Sequence, residues 1–257
     1  MSEPYDAELY ELTHRGNPGD VDFYVAACRD AHSVLELGSG YGRIAIALAE
    51  AGHEVLGIEL DAGLLERARQ NASGVEPRGS LTFQHGDMTQ LNLGRRFDRV
   101  LIPHSGLYCL LEPEAVRAAL RVARAHLADD GLLLLDGYAA DAFHEESEPE
   151  DIPDDALEAV TQIESGGKRY SVFERSRWER EGQLLHVSYV YVREPSGEQL
   201  SFELPQRYLL RHELCQLLSE AGFDDVLVRG GFEGEPYDDD ADHLVVAASP
   251  ATTPALG

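Results

Sequence analysis

The chain has 257 residues, 43% of them hydrophobic, and its 47 acidic against 21 basic side chains leave a formal charge of −26. That length allows one large α/β domain with additions and a sizeable buried core. A field of this sign repels nucleic acid and anionic membranes, which are bound through basic patches, and suits cationic small molecules such as amines.

Residues 1–32 read as N-terminal helices. Tyr5, Leu9 and Leu12 fall at i, i+4 and i+7, Asn17-Pro18-Gly19 breaks the pattern, and Val21 to Cys28 resumes it. Val34-Leu35-Glu36-Leu37 lacks clean alternation, as expected of a strand covered on both faces. Gly38, Gly40 and Gly42 then alternate with Ser39 and Tyr41 ahead of Arg43. Such a turn lets a ligand approach the backbone with no Cβ in the way. A helix beginning near Tyr41 aims free N–H groups and its positive dipole end at that ligand. Ile44, Leu48 and Ala49 line this helix, which ends near Gly52.

Glu54 to Asp61 is the second strand, with Glu59 and Leu60 at its carboxyl end and Asp61 as the N-cap of the next helix. Leu81 to His85 alternates as a third strand and runs into Gly86-Asp87-Met88. The fourth, Phe97 to Ile102, leads into Pro103-His104-Ser105-Gly106-Leu107-Tyr108. A helix with Pro113 in its first turn carries Val116, Leu120 and Ala123 inward and stops at Asp129-Asp130-Gly131. Leu132 to Asp136 is the fifth buried strand, and the alternation from 33 to 136 describes a doubly wound sheet.

The composition then changes. Glu145 to Asp155 is acid- and proline-rich and is expected as a loop. Three alternating runs follow, Arg169–Trp178, Gln183–Arg193 and Gln199–Tyr208, with turns at Glu181-Gly182 and Pro195-Ser196-Gly197-Glu198. An amphipathic helix from Arg211 closes at Gly222, and Val226–Val228 and Leu244–Ala247 complete the sheet. Arg175 and Arg177 share a strand face, as solvated charges or as a clamp for an acceptor carboxylate.

A dinucleotide fingerprint, G-x-G-x-x-G, demands glycine at position 43, where this chain has Arg43. Gly38-x-Gly40-x-Gly42 instead resembles the first motif of the class I methyltransferases that use S-adenosyl-L-methionine. Glu59, about 20 residues beyond the glycines, stands where an acid accepts from both ribose hydroxyls. Gly86-Asp87-Met88 resembles the family element that holds adenine. The resemblance spans most of the chain and implies an α/β fold: a doubly wound, Rossmann-like, seven-stranded mixed sheet with an inserted antiparallel β lid. It is similar to the sugar N-methyltransferases in that insertion. It implies cofactor-cover helices at 1–32, a cofactor-binding core at 33–144 and 209–249, an acceptor lid or homodimer interface at 145–208, and a disordered tail at 250–257. The cofactor contacts it implies are Tyr5, Tyr10, Glu36, Gly38, Ser39, Gly40, Gly42, Arg43, Glu59, Leu60, Asp87, Met88 and Pro103.

The strand carrying Arg99 is expected beside the one ending at Leu37, which places the 103–108 loop at the transferred methyl group. His104 and Tyr108 are therefore the candidate catalytic residues. His104 orients or deprotonates the acceptor, or contacts only cofactor and backbone; His186 is a more distant base. Neither His212-Glu213 nor the Asp238, Asp240 and Asp242 series completes a metal site. The expected activity is methyl transfer to nitrogen or oxygen of a small molecule, nitrogen preferred. A non-catalytic cofactor-binding regulator and a nicotinamide oxidoreductase are the competing readings. No run nears the roughly 18 apolar residues of a membrane span. The acidic start lacks signal-peptide features, and Cys28, Cys109 and Cys215 suggest no disulfide framework, so the expected location is cytoplasmic.

Overall fold

A computed structural model describes residues 4–148 and 156–250 of the chain. Its centre is the strand Ser33–Leu37 (β1), buried at every residue. Two short helices, Ala7–Thr13 (α1) and Asp20–Ala27 (α2), precede it. Then come Arg43–Ala51 (α3), Glu54–Glu59 (β2), Ala62–Ala72 (α4), Ser80–His85 (β3) and Phe97–Ile102 (β4). A 3-10 turn at Gly106–Cys109 leads to Pro113–His126 (α5), Leu127–Tyr138 (β5) and Asp141–Glu146 (α6). The antiparallel unit holds Glu158–Ser165 (β6), Lys168–Glu179 (β7), Leu184–Glu194 (β8), Gln199–Glu203 (β9) and Gln206–Arg207 (β10). Arg211–Glu220 (α7), Phe223–Arg229 (β11) and His243–Pro250 (β12) return the chain to the main sheet.

The main sheet runs β11-β12-β5-β4-β1-β2-β3. β1 pairs in parallel with β2 on one side and with β4 on the other, Leu35 facing Leu56 and Val100 respectively. The direction of strand progression reverses between β1 and β4, which opens a crevice beyond their carboxyl ends. The central strands divide their side chains between two cores. Leu35, Leu37, Val100, Ile102, Leu133 and Leu135 face α5 and α7, whereas Val34, Leu101 and Leu134 face α2, α3 and α4. This two-sided burial is why their sequence shows no polar alternation.

The second sheet is β10-β8-β7-β6, with β9 also on β8. Residues 199–208 form two strands because Pro205 has no N–H for the ladder and interrupts the run. β6 was absent from the sequence reading. It is a polar edge strand with only Ile163 buried, so it carries no periodic signal, although Gly166-Gly167, both at positive φ, marks the hairpin that follows. α1 docks on this sheet through a small core of Leu9, Ile163, Tyr170, Val172, Tyr191 and Phe202. α6 extends into the expected loop at 145–155, of which 149–155 lies outside the described residues. α5 ends at His126, earlier than Asp129-Asp130-Gly131, because Leu127 already pairs with Phe97 as β5 begins. β12 carries through Pro250, and the rest of the expected tail lies outside the described residues. No helix among the described residues is long and apolar enough to cross a membrane.

Gly42 serves the packing of this core. It is the N-cap of α3 at φ +90°, and a Cβ placed there would stand 2.7 Å from Phe83 Cζ on β3 and 3.3 Å from Ala68 Cβ on α4. Gly42→Ala is expected to destabilise the protein by about 1–3 kcal/mol, through overpacking and the left-handed backbone together. Urea denaturation midpoints for the two proteins check this.

Candidate active site

The glycine loop crosses the crevice between β1 and β2. Gly38 N–H and Ser39 N–H both donate to Ile58 O, at 2.8 and 2.9 Å. Gly40 N–H donates to Glu59 Oε2 at 2.7 Å, while Leu60 N–H and Asp61 N–H donate to Glu59 Oε1 at 2.8 Å each. One carboxylate thus fixes both the loop and the turn into α4. At Gly40, with φ +54°, a Cβ would meet nothing within 4 Å. The backbone there faces open space, a cavity of about 440 Å³.

The cavity walls contain several perturbed groups. Glu36, on β1, is 2% exposed, and its Oε2 has no hydrogen-bond partner among the described residues. Burial pushes its carboxyl up to about 8, against the opposing pull of Arg43. Arg43 makes a two-pronged ion pair with Asp20, at 2.6 and 2.7 Å, and Asp20 is itself 2% exposed. Burial pushes His14 down to about 3, and burial, then Arg43, also holds the His104 imidazole below its usual value. Both histidines are neutral at physiological pH.

His104 and Ser105 adopt left-handed backbone, at φ +52° and +56°. Asp136 at the end of β5 holds them there: its Oδ1 accepts from His104 N–H at 2.9 Å and its carbonyl from Ser105 N–H at 2.9 Å. The same Oδ1 accepts from Tyr24 on α2 at 2.5 Å. Strained backbone of this kind persists only where its surroundings over-determine it.

Twelve of the residues expected from sequence line the cavity: Tyr10, Glu36, Gly38, Ser39, Gly40, Arg43, Glu59, Leu60, Asp87, Met88, Pro103 and His104. Three do not. Gly42 packs against Phe83, as described above. Tyr108 is 2% exposed and its hydroxyl donates to Tyr138 O at 3.1 Å, so it supports the 3-10 turn from behind. Tyr5 stacks on Phe202 at 4.8 Å and bonds Tyr191 Oη at 2.7 Å, joining α1 to the inserted sheet. Asp87 lines the cavity but also caps its own turn, accepting from Thr89 N–H, Thr89 Oγ1 and Gln90 Nε2. The bond from the Thr89 backbone, chiefly, holds its carboxyl below the ordinary range.

Sequence reasoning missed His14, Tyr41, Cys109, Leu110 and Leu204 in the walls. The turn at Asn17-Pro18-Gly19, which folds α1 and α2 back over the glycine loop, was the available signal for His14. Leu204 sits beside the Pro205 break in the inserted strands, and its place over a remote loop had no local signature. Arg175 and Arg177 are exposed, on the opposite face of β7 from the inward Glu174, Ser176 and Trp178.

Residues 34–131 match the family described as a methyltransferase domain. A curated relative from Streptomyces fradiae, dTDP-3-amino-3,6-dideoxy-alpha-D-glucopyranose N,N-dimethyltransferase, is 29% identical over 72% of this chain and 69% of its own length. Among solved structures, the CcbJ methyltransferase from Streptomyces caelestis superposes with a TM-score of 0.83 at 25% identity, covering 95% of this chain and 96% of that one. CalS10 from Micromonospora echinaspora, an amino pentose methyltransferase solved with S-adenosylmethionine bound, gives 0.68 at 22% identity over 96% and 98% of the chains. Strand order, glycine loop and the domain match over residues 34–131 are thus similar to those of the class I methyltransferases.

Proposed function

We propose that the chain transfers a methyl group from S-adenosylmethionine to a nitrogen of a small-molecule acceptor. The observation that carries this reading is the buried Glu36 carboxyl, whose Oε2 has no partner among the described residues, set beside the open backbone at Gly40 and the loop-fixing Glu59. These donors and acceptors fit the cofactor. Glu36 would take its cationic amino group, Glu59 its ribose hydroxyls through the remaining lone pairs, and Asp87 with Met88 its adenine. When bound, the cofactor supplies an activated methyl on a sulfonium, displaced in line by the acceptor's lone pair.

The chain's own residues have to orient the acceptor and exclude water. Tyr10 and His14 close the cavity from the N-terminal side, Pro103 and Cys109 from the β4 loop, and Leu204 from the inserted strands. The choice of nitrogen over oxygen follows from the histidines. An imidazole held below its usual pKa is a poor proton sink, so a hydroxyl acceptor would lack an adequate base, whereas an unprotonated amine needs none. The amino-sugar relative, an N,N-dimethyltransferase by name, supports the same choice.

Three outcomes are expected. Calorimetry should show S-adenosylmethionine binding, and NAD binding in its place would overturn the reading. Gly40→Ala should weaken that binding tenfold or more, with a smaller loss of stability than Gly42→Ala, since its Cβ would enter the cavity and touch no protein atom. The third outcome concerns protons. Glu36 titrates near 8 in the free protein against an ordinary 4.5, so its native form stays protonated where the unfolded chain is ionised. Stability of the free protein therefore falls from this group as pH rises from about 4.5 to 8. A cationic amino group at Glu36 favours the ionised form, so binding near pH 7 should release up to one proton, read from heats in buffers of different ionisation enthalpy. Glu36→Gln should bind without that release.

A further inference from the structure

A second cavity, of about 300 Å³, lies between the end of β5, α6 and the inserted sheet. Its walls are Tyr138, Phe143, Ser176 and Leu185 together with two carboxylates, Glu158 and Glu174. Those two glutamates are direct cross-strand partners, β6 against β7. Like charges in that relation destabilise a sheet, and among the described residues no ion pair involves either one. Arg175 and Arg177 of β7 are exposed on its opposite face, and Arg180, just beyond β7, is held by Glu148 at 3.1 Å and lies over Trp178. Lys168, the single lysine of the chain, sits at the far hairpin in a different groove.

A second observation points to a ligand. Tyr138 Oη is buried and has no hydrogen-bond partner among the described residues, although it belongs to this cavity wall. Aromatic faces beside paired carboxylates, with no internal cation, match the chemistry that holds an ammonium group.

The cavity also adjoins the candidate active site. Tyr189 is the cross-strand partner of Glu174 on β8, and its phenol is raised by burial and by that carboxylate. The same ring packs edge-on against His14, at 4.6 Å, in the wall of the first cavity. On the other side Tyr138 packs edge-on against Tyr108, the neighbour of Cys109. Tyr189 and Tyr108 thus link the walls of the two cavities.

We infer that the second cavity is the acceptor's recognition subsite, and that the acceptor is an ammonium-bearing small molecule without a phosphate. A diphosphate would find no free cation in either cavity. Arg43 is committed to Asp20, and His14 and His104 are neutral. It would instead meet Glu158 and Glu174 within a chain of charge −26. This inference rests on the methyltransferase reading for the word acceptor; the cation site itself does not.

The test uses choline, a permanent cation, its neutral isostere 3,3-dimethylbutan-1-ol, and thymidine diphosphate, at one ionic strength set with sodium chloride. Choline should bind in calorimetry and raise the thermal unfolding midpoint, and the other two should do neither. Glu174→Gln, and separately Glu158→Gln at an exposed position that tolerates change, should weaken choline binding at least tenfold and leave S-adenosylhomocysteine affinity unchanged. Absence of choline binding, equal binding of the isostere, binding of thymidine diphosphate, or full choline affinity in both variants would overturn the proposal. Loss of S-adenosylhomocysteine binding by the wild type with choline binding intact would sink the methyltransferase reading and leave the cation site standing.

Discussion

The ion pair of Arg43 with Asp20 is the contact on which the arrangement of the site depends. Arg43 opens α3 directly after the glycine loop, and Asp20 opens α2, so the pair ties the two helix starts together across the crevice. Asp20 Oδ2 also accepts from Asn17 N–H at 2.9 Å, which fixes the turn that carries α1 and His14 back over the cavity. Gly16 lies so close to the guanidinium that any Cβ there would overlap it. Removing one partner of so buried a pair leaves an uncompensated charge and commonly costs about 3–5 kcal/mol, while the intact pair adds little net stability. Its contribution is positional. It also places a fixed positive charge near Glu36, which opposes the rise that burial imposes on that carboxyl.

Burial sets the protonation of the rest of the site. Glu36 is kept protonated, the two cavity histidines are kept neutral, and Tyr10 is raised chiefly by desolvation. A site built this way disfavours the charged form of each of these groups until a ligand supplies a partner. That is compatible with an activated cofactor that brings its own positive charge. It is poorly suited to a mechanism that must generate an alkoxide or phenolate from its acceptor.

Much of this was legible in the residues, and the limits have physical causes. β4 occupies the expected 97–102, and the pairing of Val34 with Arg99 shows the predicted neighbourhood of β1 and β4. Asp61 caps α4 through Leu64 N–H, and Pro113 opens α5. These features are local or follow from two-sided burial, so periodicity and capping chemistry reveal them. The glycine series shows where such reading stops. Gly40 and Gly42 look equivalent in sequence, yet one faces a cavity and the other Phe83 from β3, a contact about forty positions away that no local pattern encodes. Tyr5 fails for a related reason. It lies two residues before α1 rather than on it, and its ring turns to the inserted sheet, a surface formed nearly two hundred residues later.

That dependence on the late segment has a consequence for specificity. The core strands determine the first cavity, and their pattern is strong because both faces are buried. The inserted sheet contributes Leu204 to the first cavity and Glu158, Glu174, Ser176 and Leu185 to the second. It is anchored to α1 through Tyr5, Tyr191 and Phe202, so the N-terminal cover and the outer wall are joined by one aromatic cluster. Tyr5 of that cluster contacts His14, so the cluster bears on a wall of the first cavity without touching the glycine loop. The first cavity is thus walled mainly by the core and the second in large part by the inserted sheet, and that sheet is the part whose polar, irregular sequence is least readable in advance.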